Sequence, residues 1–256
     1  MSIRATDVVF TALFGGYESL NELSLMKNPT TRYVCFTDNP ELVSSTWEIF
    51  IPQNLKSNDP IRMSREIKML GHRFFPEATR SLYIDNTVHL KVDGGKVLDG
   101  VLGFGDVSFM QHSKCKSVRR EFLNCSMYGL ENQGKLRIQF LAYLENYSFI
   151  LNEHPYWGGF IARKHTARAD LFFNTWHEEY LKHSKRDQLS INISAYKSGI
   201  EINSIVGSNT HSDWHSWPVY SHRNELSRSS LSGKRWKKLW VIWNAIAYGR
   251  VFFTKV

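Results

Sequence analysis

Leu82-Tyr83-Ile84-Asp85-Asn86-Thr87 places a carboxylate and two short polar side chains directly behind three apolar residues. A strand that ends this way delivers hard oxygen donors to its carboxyl end, where they suit magnesium or manganese held against a diphosphate. Asp85 and Thr87 are the expected cation ligands, and Asn86 is expected beside a bound nucleotide. Thr87 stands where a second aspartate would double the charge, which argues against strong metal dependence; the plain alternative is that Asp85 caps a turn. His211 and His215, four apart in Thr210-His211-Ser212-Asp213-Trp214-His215, are the candidates for a further ligand. A loop held by its own side-chain hydrogen bonds is the favoured alternative there.

Thr11-Ala12-Leu13-Phe14-Gly15-Gly16-Tyr17 reads as a strand running into a glycine turn. Paired glycines let backbone approach a nucleotide, and Tyr17 offers a ring face to a base; a bare Gly-Gly turn is also common. Thr11, Phe14, Gly15, Gly16 and Tyr17 are therefore grouped as nucleotide-side candidates. Arg65, Lys68 and His72 fall in one arc at about 100° per residue, with Arg62 beside them. Such a stripe faces either a diphosphate leaving group, whose charge it would offset, or water. Asp187 and Gln188 open a further helix, where a carboxylate–amide pair orients a sugar or stabilises an oxocarbenium-like transition state; a helix dipole alone also favours Asp187. Glu121 and Asp187 are the acids chosen as candidate catalytic groups.

The elements that must position these groups alternate. Strands are expected over 7–13, 32–37, 47–51, 81–84 and 160–163, with turn signals at Gly15-Gly16, Asp38-Asn39-Pro40 and Pro52. Helices are expected over 61–74, 117–128, 133–144, 167–181 and 187–196, the first with Pro60 in its opening turn. Strands alternating with helices imply a mostly parallel sheet covered on both faces, with ligands beyond the carboxyl ends of its strands. Gly15, Asp38 and Asp85 then share one crevice.

The chain has 256 residues, 42% of them hydrophobic, enough for one large core. Its net charge of +8 is uneven: residues 222–256 carry +7 and the remainder +1. A nearly neutral body lacks a phosphate-tracking field, and no aromatic-basic sheet signature is present, which excludes nucleic acid as the expected partner. Three widely spaced cysteines (Cys35, Cys115, Cys125) fit reduced thiols and a cytoplasmic protein. No signal-peptide architecture or spanning segment is read from the sequence.

Taken in order, TALFGGY, VCFTDN, the Pro60–Lys68 pattern, YIDNT, the segment 112–121, the helix around 139–143 and RDQLS resemble a family of glycosyltransferases long catalogued as a domain of unknown function, with plant mucilage and cell-wall members and many bacterial ones. The resemblance runs over about 8–205 and not into the last fifty residues. It implies a GT-A α/β fold, a nucleotide-diphosphate sugar donor, expected to be UDP-linked, and a divalent cation. It also implies Asp38 near the nucleoside, Arg65 and Lys68 near the diphosphate, Asp85 at the metal, and Asp187 and Gln188 near the donor sugar. Lys114 occupies a position where the family is expected to carry arginine.

The expected organisation is a catalytic domain over 1–221 and a basic amphipathic tail over 222–256, in which Trp236, Leu239, Trp240, Trp243 and Ala247 share a helical face. Tryptophan beside lysine suits an anionic membrane surface, and packing of that face on the domain is an equal alternative. The expected activity is sugar transfer to a glycan or lipid-linked acceptor in surface polysaccharide synthesis, in the cytoplasm or peripherally on the inner face of the membrane. The alternative is a non-catalytic nucleotide-sugar or carbohydrate-binding module on the same fold.

Overall fold

The computed structural model describes residues 7–24, 28–103 and 105–220. The expected tail helix and its membrane-facing stripe lie outside the described residues. The strands are β1 (Asp7–Leu13), β2 (Thr31–Thr37), β3 (Glu48–Phe50), β4 (Arg80–Ile84), β5 (His89–Leu90), β6 (Val107–Gln111), β7 (Tyr156–Lys164), β8 (Ile202–Ile205) and β9 (His215–Ser216). The helices are α1 (Pro60–Leu70), α2 (Gly94–Leu102), α3 (Val118–Met127), α4 (Gln133–Asn146), α5 (Ala167–Lys182) and α6 (Ile191–Ser198).

β1 is buried at all seven positions and pairs in parallel with β2 on one side and β4 on the other. Successive side chains of a strand face opposite ways. Val8, Phe10 and Ala12 accordingly join the layer containing α1 and α5, whereas Val9 and Leu13 join the layer containing α2. The main sheet has seven strands in the order β3-β2-β1-β4-β7-β6-β8. Its pairings are parallel except at β7, which runs antiparallel to both neighbours, β4 and β6. The expected mostly parallel sheet is therefore present, with one reversed strand. A third cluster, built on Phe122, Cys125, Phe140 and Tyr143, joins α3 and α4 to Leu189 and Ile193. All three cysteines are buried and free.

α1 starts where Asp59 accepts hydrogen bonds from the backbone N–H groups of Ile61 and Arg62 at 2.9 and 3.2 Å, with Pro60 in the first turn. Capping of this kind removes two of the four donors a helix start leaves unpaired. The expected helix over 61–74 ends as an α-helix at Leu70 and continues as a 3-10 turn, Gly71–Phe74. The expected helix over 187–196 likewise opens with a 3-10 turn, Asp187–Ser190, before α6. Both shifts bear on the site, because they decide which residues α1 and the 187–190 turn aim at the sheet. Among the described residues no helix is long and apolar enough to cross a membrane.

Candidate active site

The sheet order turns back between β1 and β4: the chain leaves β1 toward β2 and β3, then returns to β4 on the other side. Strand ends at such a switch leave a crevice. A cleft of about 690 Å³ lies there. Its floor is β1 and β4, one wall is α1 with residues 186–188, and another is α3 with the segment after β6. The segment 209–220 closes the remaining side.

The turn after β1 is fixed by its glycines. Gly15 has φ +78°, a left-handed conformation that L side chains rarely adopt, and a β-carbon on it would stand 2.8 Å from Pro60 Cβ. Both carboxylate oxygens of Asp38 accept from the Gly15 N–H at 3.1 Å, tying the end of β2 to this turn. Tyr17 emerges from the turn 45% exposed and lines the cleft. Gly15, Gly16 and Asp38 lie outside the cleft lining, so they do not share the crevice with Asp85 as expected, and Thr11 and Phe14 do not reach it either. Both are wholly buried, Phe14 within the core cluster, so they support the turn from beneath and offer no ligand surface.

Four charged side chains meet on the α1 wall. Lys68 Nζ lies 2.9 Å from Asp187 Oδ2 and 3.2 Å from Asp85 Oδ1. Arg65 Nε lies 3.1 Å from Asp187 Oδ2 without making a directed hydrogen bond to it. Burial opposes the charge on Asp187, but Arg65 and then Lys68 outweigh it and hold its pKa well below the ordinary carboxylate range. Asp85 also accepts from the Tyr83 hydroxyl at 2.8 Å. The stripe on α1 is therefore neither a solvated face nor wholly open to a ligand: Lys68 is 2% exposed and already shared by two carboxylates. His72 faces Asp170 instead, at 3.2 Å, and Arg62 packs over the Tyr180 ring outside the cleft lining.

Two features hold this wall in place. Arg163, wholly buried on β7, donates to the carbonyls of Lys68 and Met69 at 2.8 and 2.9 Å, a cation at the carboxyl end of α1 where the helix dipole favours one. Trp176 Nε1 fixes the neighbouring backbone by donating to the Asp187 carbonyl at 2.9 Å.

The cleft brings together Tyr17, Arg65, Lys68, Asp85, Asn86, Thr87, Glu121, Asp187 and Gln188 from the sequence-derived set. Lys114 also lines it, on the α3 side. Gln188 Oε1 is buried without a hydrogen-bond partner, as are Arg186 Nε and His112 Nδ1, and all three residues line the cleft. Buried polar atoms are rarely left so. Arg186, beside Asp187 in RDQLS, also lines the cleft, as do Trp157 and Trp217 on the far wall, and neither tryptophan stands in a motif that marks it in the sequence.

The donor set does not fit a divalent cation. Asn86 is tied away, its Oδ1 accepting from Asn21 N–H and its Nδ2 donating to the Ser19 carbonyl, both at 2.9 Å. Thr87 Oγ1 accepts from Trp217 Nε1 at 3.0 Å. The expected histidine ligands need correcting. His215 is wholly buried with both ring nitrogens engaged, at 2.7 Å by Ser212 Oγ and at 3.2 Å by the Asn209 carbonyl. His211 is outside the cleft lining, with Lys91 Nζ 3.0 Å from its Nε2. The loop alternative describes these two residues. Among the described residues, no group of three or more His, Cys, Asp or Glu side chains is placed to hold a metal ion.

A mixed sheet flanked by helices, with a charged cleft beyond the ends of β1 and β4, is a GT-A-like α/β architecture. The chain belongs to the TOD1/MUCI70 glycosyltransferase-like domain family, whose model matches residues 2–207. "Probable hexosyltransferase MUCI70" of Arabidopsis thaliana is 29% identical over 170 residues, which cover 62% of this chain and 29% of that protein. The chain thus spans under a third of that relative's length. Among solved structures, the apo WbbM bifunctional glycosyltransferase aligns with TM-score 0.42 and 11% identity over 77% of this chain and 38% of its own. Apo mouse xyloside xylosyltransferase 1 aligns with TM-score 0.43 and 7% identity over 78% and 85%.

Proposed function

We propose that the domain transfers a hexosyl group from a nucleoside-diphosphate donor, UDP being the first choice, to a glycan or lipid-linked acceptor in surface polysaccharide synthesis. The observation that carries this reading is the meeting of Arg65, Lys68, Asp187 and the unpartnered Gln188 carbonyl in one cleft at the sheet's switch point. The acceptor hydroxyl attacks the anomeric carbon, the bond from that carbon to the diphosphate oxygen breaks, and the diphosphate leaves with the electron pair. Fixed cations beside the departing oxygens stabilise that charge without reorganising. Asp187, held ionised by its two cations, is too weak a base to take the acceptor proton; it stabilises positive charge growing on the sugar. Glu121, 5% exposed on α3 at the opposite wall, is the group assigned to take the proton that the acceptor hydroxyl loses.

The test is release of nucleoside diphosphate from a panel of UDP-, GDP- and CDP-sugars, with and without oligosaccharide acceptors. One donor should turn over, and Asp187→Asn should abolish that turnover while the chain stays folded. If no donor is consumed faster than by that variant, the transferase reading is lost. The tail and localisation belong to the same proposal: residues 222–256 bring the domain to an anionic membrane on its cytoplasmic face. Flotation with anionic vesicles checks this, and a chain ended after Ser230 that floats as well as the full chain refutes it.

A further inference from the structure

A divalent ion at the end of β4 would need oxygen donors that are free to turn toward it. Asp85 is the carboxylate at this strand end, and its Oδ1 is already shared by the Tyr83 hydroxyl and the Lys68 ammonium. The side chains that follow it in sequence, Asn86 and Thr87, are committed to Asn21, Ser19 and Trp217. A dication beside Asp85 would also face the buried Lys68 ammonium 3.2 Å from that carboxylate, and like charges repel.

The same network supplies what the ion would otherwise bring. Two carboxylates, Asp85 and Asp187, are balanced by two fixed cations, Arg65 and Lys68. A chelating acidic pair neutralised by a dication would have the same net charge. Beyond that balance, Arg186 adds a third cation to the lining. The Arg186 Nε–H is buried with no hydrogen-bond partner, Arg65 Nε makes no directed hydrogen bond to its ion-pair partner Asp187, and the oxygens of a diphosphate are strong acceptors for guanidinium donors.

Resting on the transferase reading above, we infer that the donor diphosphate is held by fixed protein cations, Arg65, Lys68 and Arg186, and that nucleotide binding requires no divalent ion. Asp85 then has the opposite role from a metal ligand. It is an anion next to the diphosphate, tolerated because Lys68 and Tyr83 hold it, and its removal should favour nucleotide binding.

The experiment is calorimetric titration of the full chain with UDP, GDP and CDP, once in EDTA and once in manganese, for the parent, Asp85→Asn and Arg186→Gln. One nucleotide should bind with affinities within threefold in the two buffers. Asp85→Asn should tighten binding in EDTA by about threefold, and Arg186→Gln should weaken it about tenfold, a typical loss for a charge-assisted bond. Thermal midpoints of the variants separate these effects from unfolding. Manganese-dependent binding, tighter by tenfold or more and lost in Asp85→Asn, would overturn the inference and leave the transferase reading standing. Binding in neither buffer would remove the nucleotide site itself, and the inference with it.

Discussion

Lys68 Nζ and Asp187 Oδ2, 119 residues apart in the chain, meet at 2.9 Å with both side chains almost wholly buried. The contact joins α1 to the turn that opens α6, so it is at once part of the site and part of what closes the domain. Removing one partner of a buried pair leaves an uncompensated charge, at a cost of about 3–5 kcal/mol. Lys68→Met should lose about 3 kcal/mol, at the low end because Arg65 remains beside Asp187. The double variant Lys68→Met/Asp187→Leu should recover part of that loss, with a coupling of about 1–3 kcal/mol in a denaturant-unfolding cycle. Additive losses would show that the two charges do not act as a pair.

Gln188 makes the opposite prediction. Its buried Oε1 has no partner, and an unsatisfied buried acceptor costs about 1–3 kcal/mol. Gln188→Leu should leave the unfolding midpoint unchanged or slightly higher, while kcat/KM for the donor falls about 10- to 100-fold, or roughly 1.4–2.8 kcal/mol of transition-state binding. A lower midpoint with turnover intact would mean that the amide serves the fold and not the substrate.

The glycine turn separates two effects that usually occur together. Gly16→Ala meets nothing within 4 Å and carries only the left-handed backbone penalty at φ +61°, about 1–2 kcal/mol. Gly15→Ala carries that penalty and a 2.8 Å contact with Pro60 at the start of α1. It should therefore be the more destabilising of the two in denaturant unfolding, and it alone should loosen nucleotide binding, because it displaces the helix that carries Arg65 and Lys68. Equal effects on both measurements would argue that α1 is not anchored through Pro60.

Acid should destabilise the domain in two stages. Burial, reinforced by Arg163, pushes His165 down to about 4, and burial with Lys56 and Arg73 nearby pushes His177 down to about 4. The unfolded chain takes up these protons near pH 6.5 and the folded chain does not, so stability is full above that pH and declines as pH falls toward 4. The loss is on the order of 2 kcal/mol per histidine by pH 4. Below about 4.5, Glu179 adds a second decline: burial raises its pKa, but bonds from His183, Lys197 and Tyr143 outweigh this and bring it to about 2. Chemical unfolding at pH 7.5, 6.0 and 4.5 should show the first slope, and His177→Gln should reduce it. An identical slope in that variant would assign the decline to other groups.

Much of the sheet was legible because its strands announce themselves. β1, β2 and β4 are short apolar or β-branched runs with clear turn residues after them, and the family resemblance placed Asp85, Asp187 and Arg65 in one region. α2 was not legible, since it opens with Gly94-Gly95, residues that read as a turn; Asp93 caps it all the same, accepting from Gly95 N–H. β7 was cut short for a similar reason. Gly158-Gly159 reads as a break, yet both glycines lie within the strand, where Gly159 admits the Trp157 ring. Tertiary packing set those residues, and local propensity points the other way. The metal reading followed a one-strand pattern, whereas the partners that commit Thr87 and His215 come from residues 209–217, distant in sequence or too ordinary in type to signal their roles.

The bond from Trp217 Nε1 to Thr87 Oγ1 spans 130 positions and is joined there by Val219 N–H donating to the Thr87 carbonyl. On a ribosome adding about 5–20 residues per second, Thr87 emerges on the order of ten seconds ahead of Trp217. The strands that form the floor of the cleft are all synthesised before its last wall exists. A nascent domain can thus pair β1 with β4 while the cleft is still open, and the cleft gains its last wall only when the final segment folds back across it.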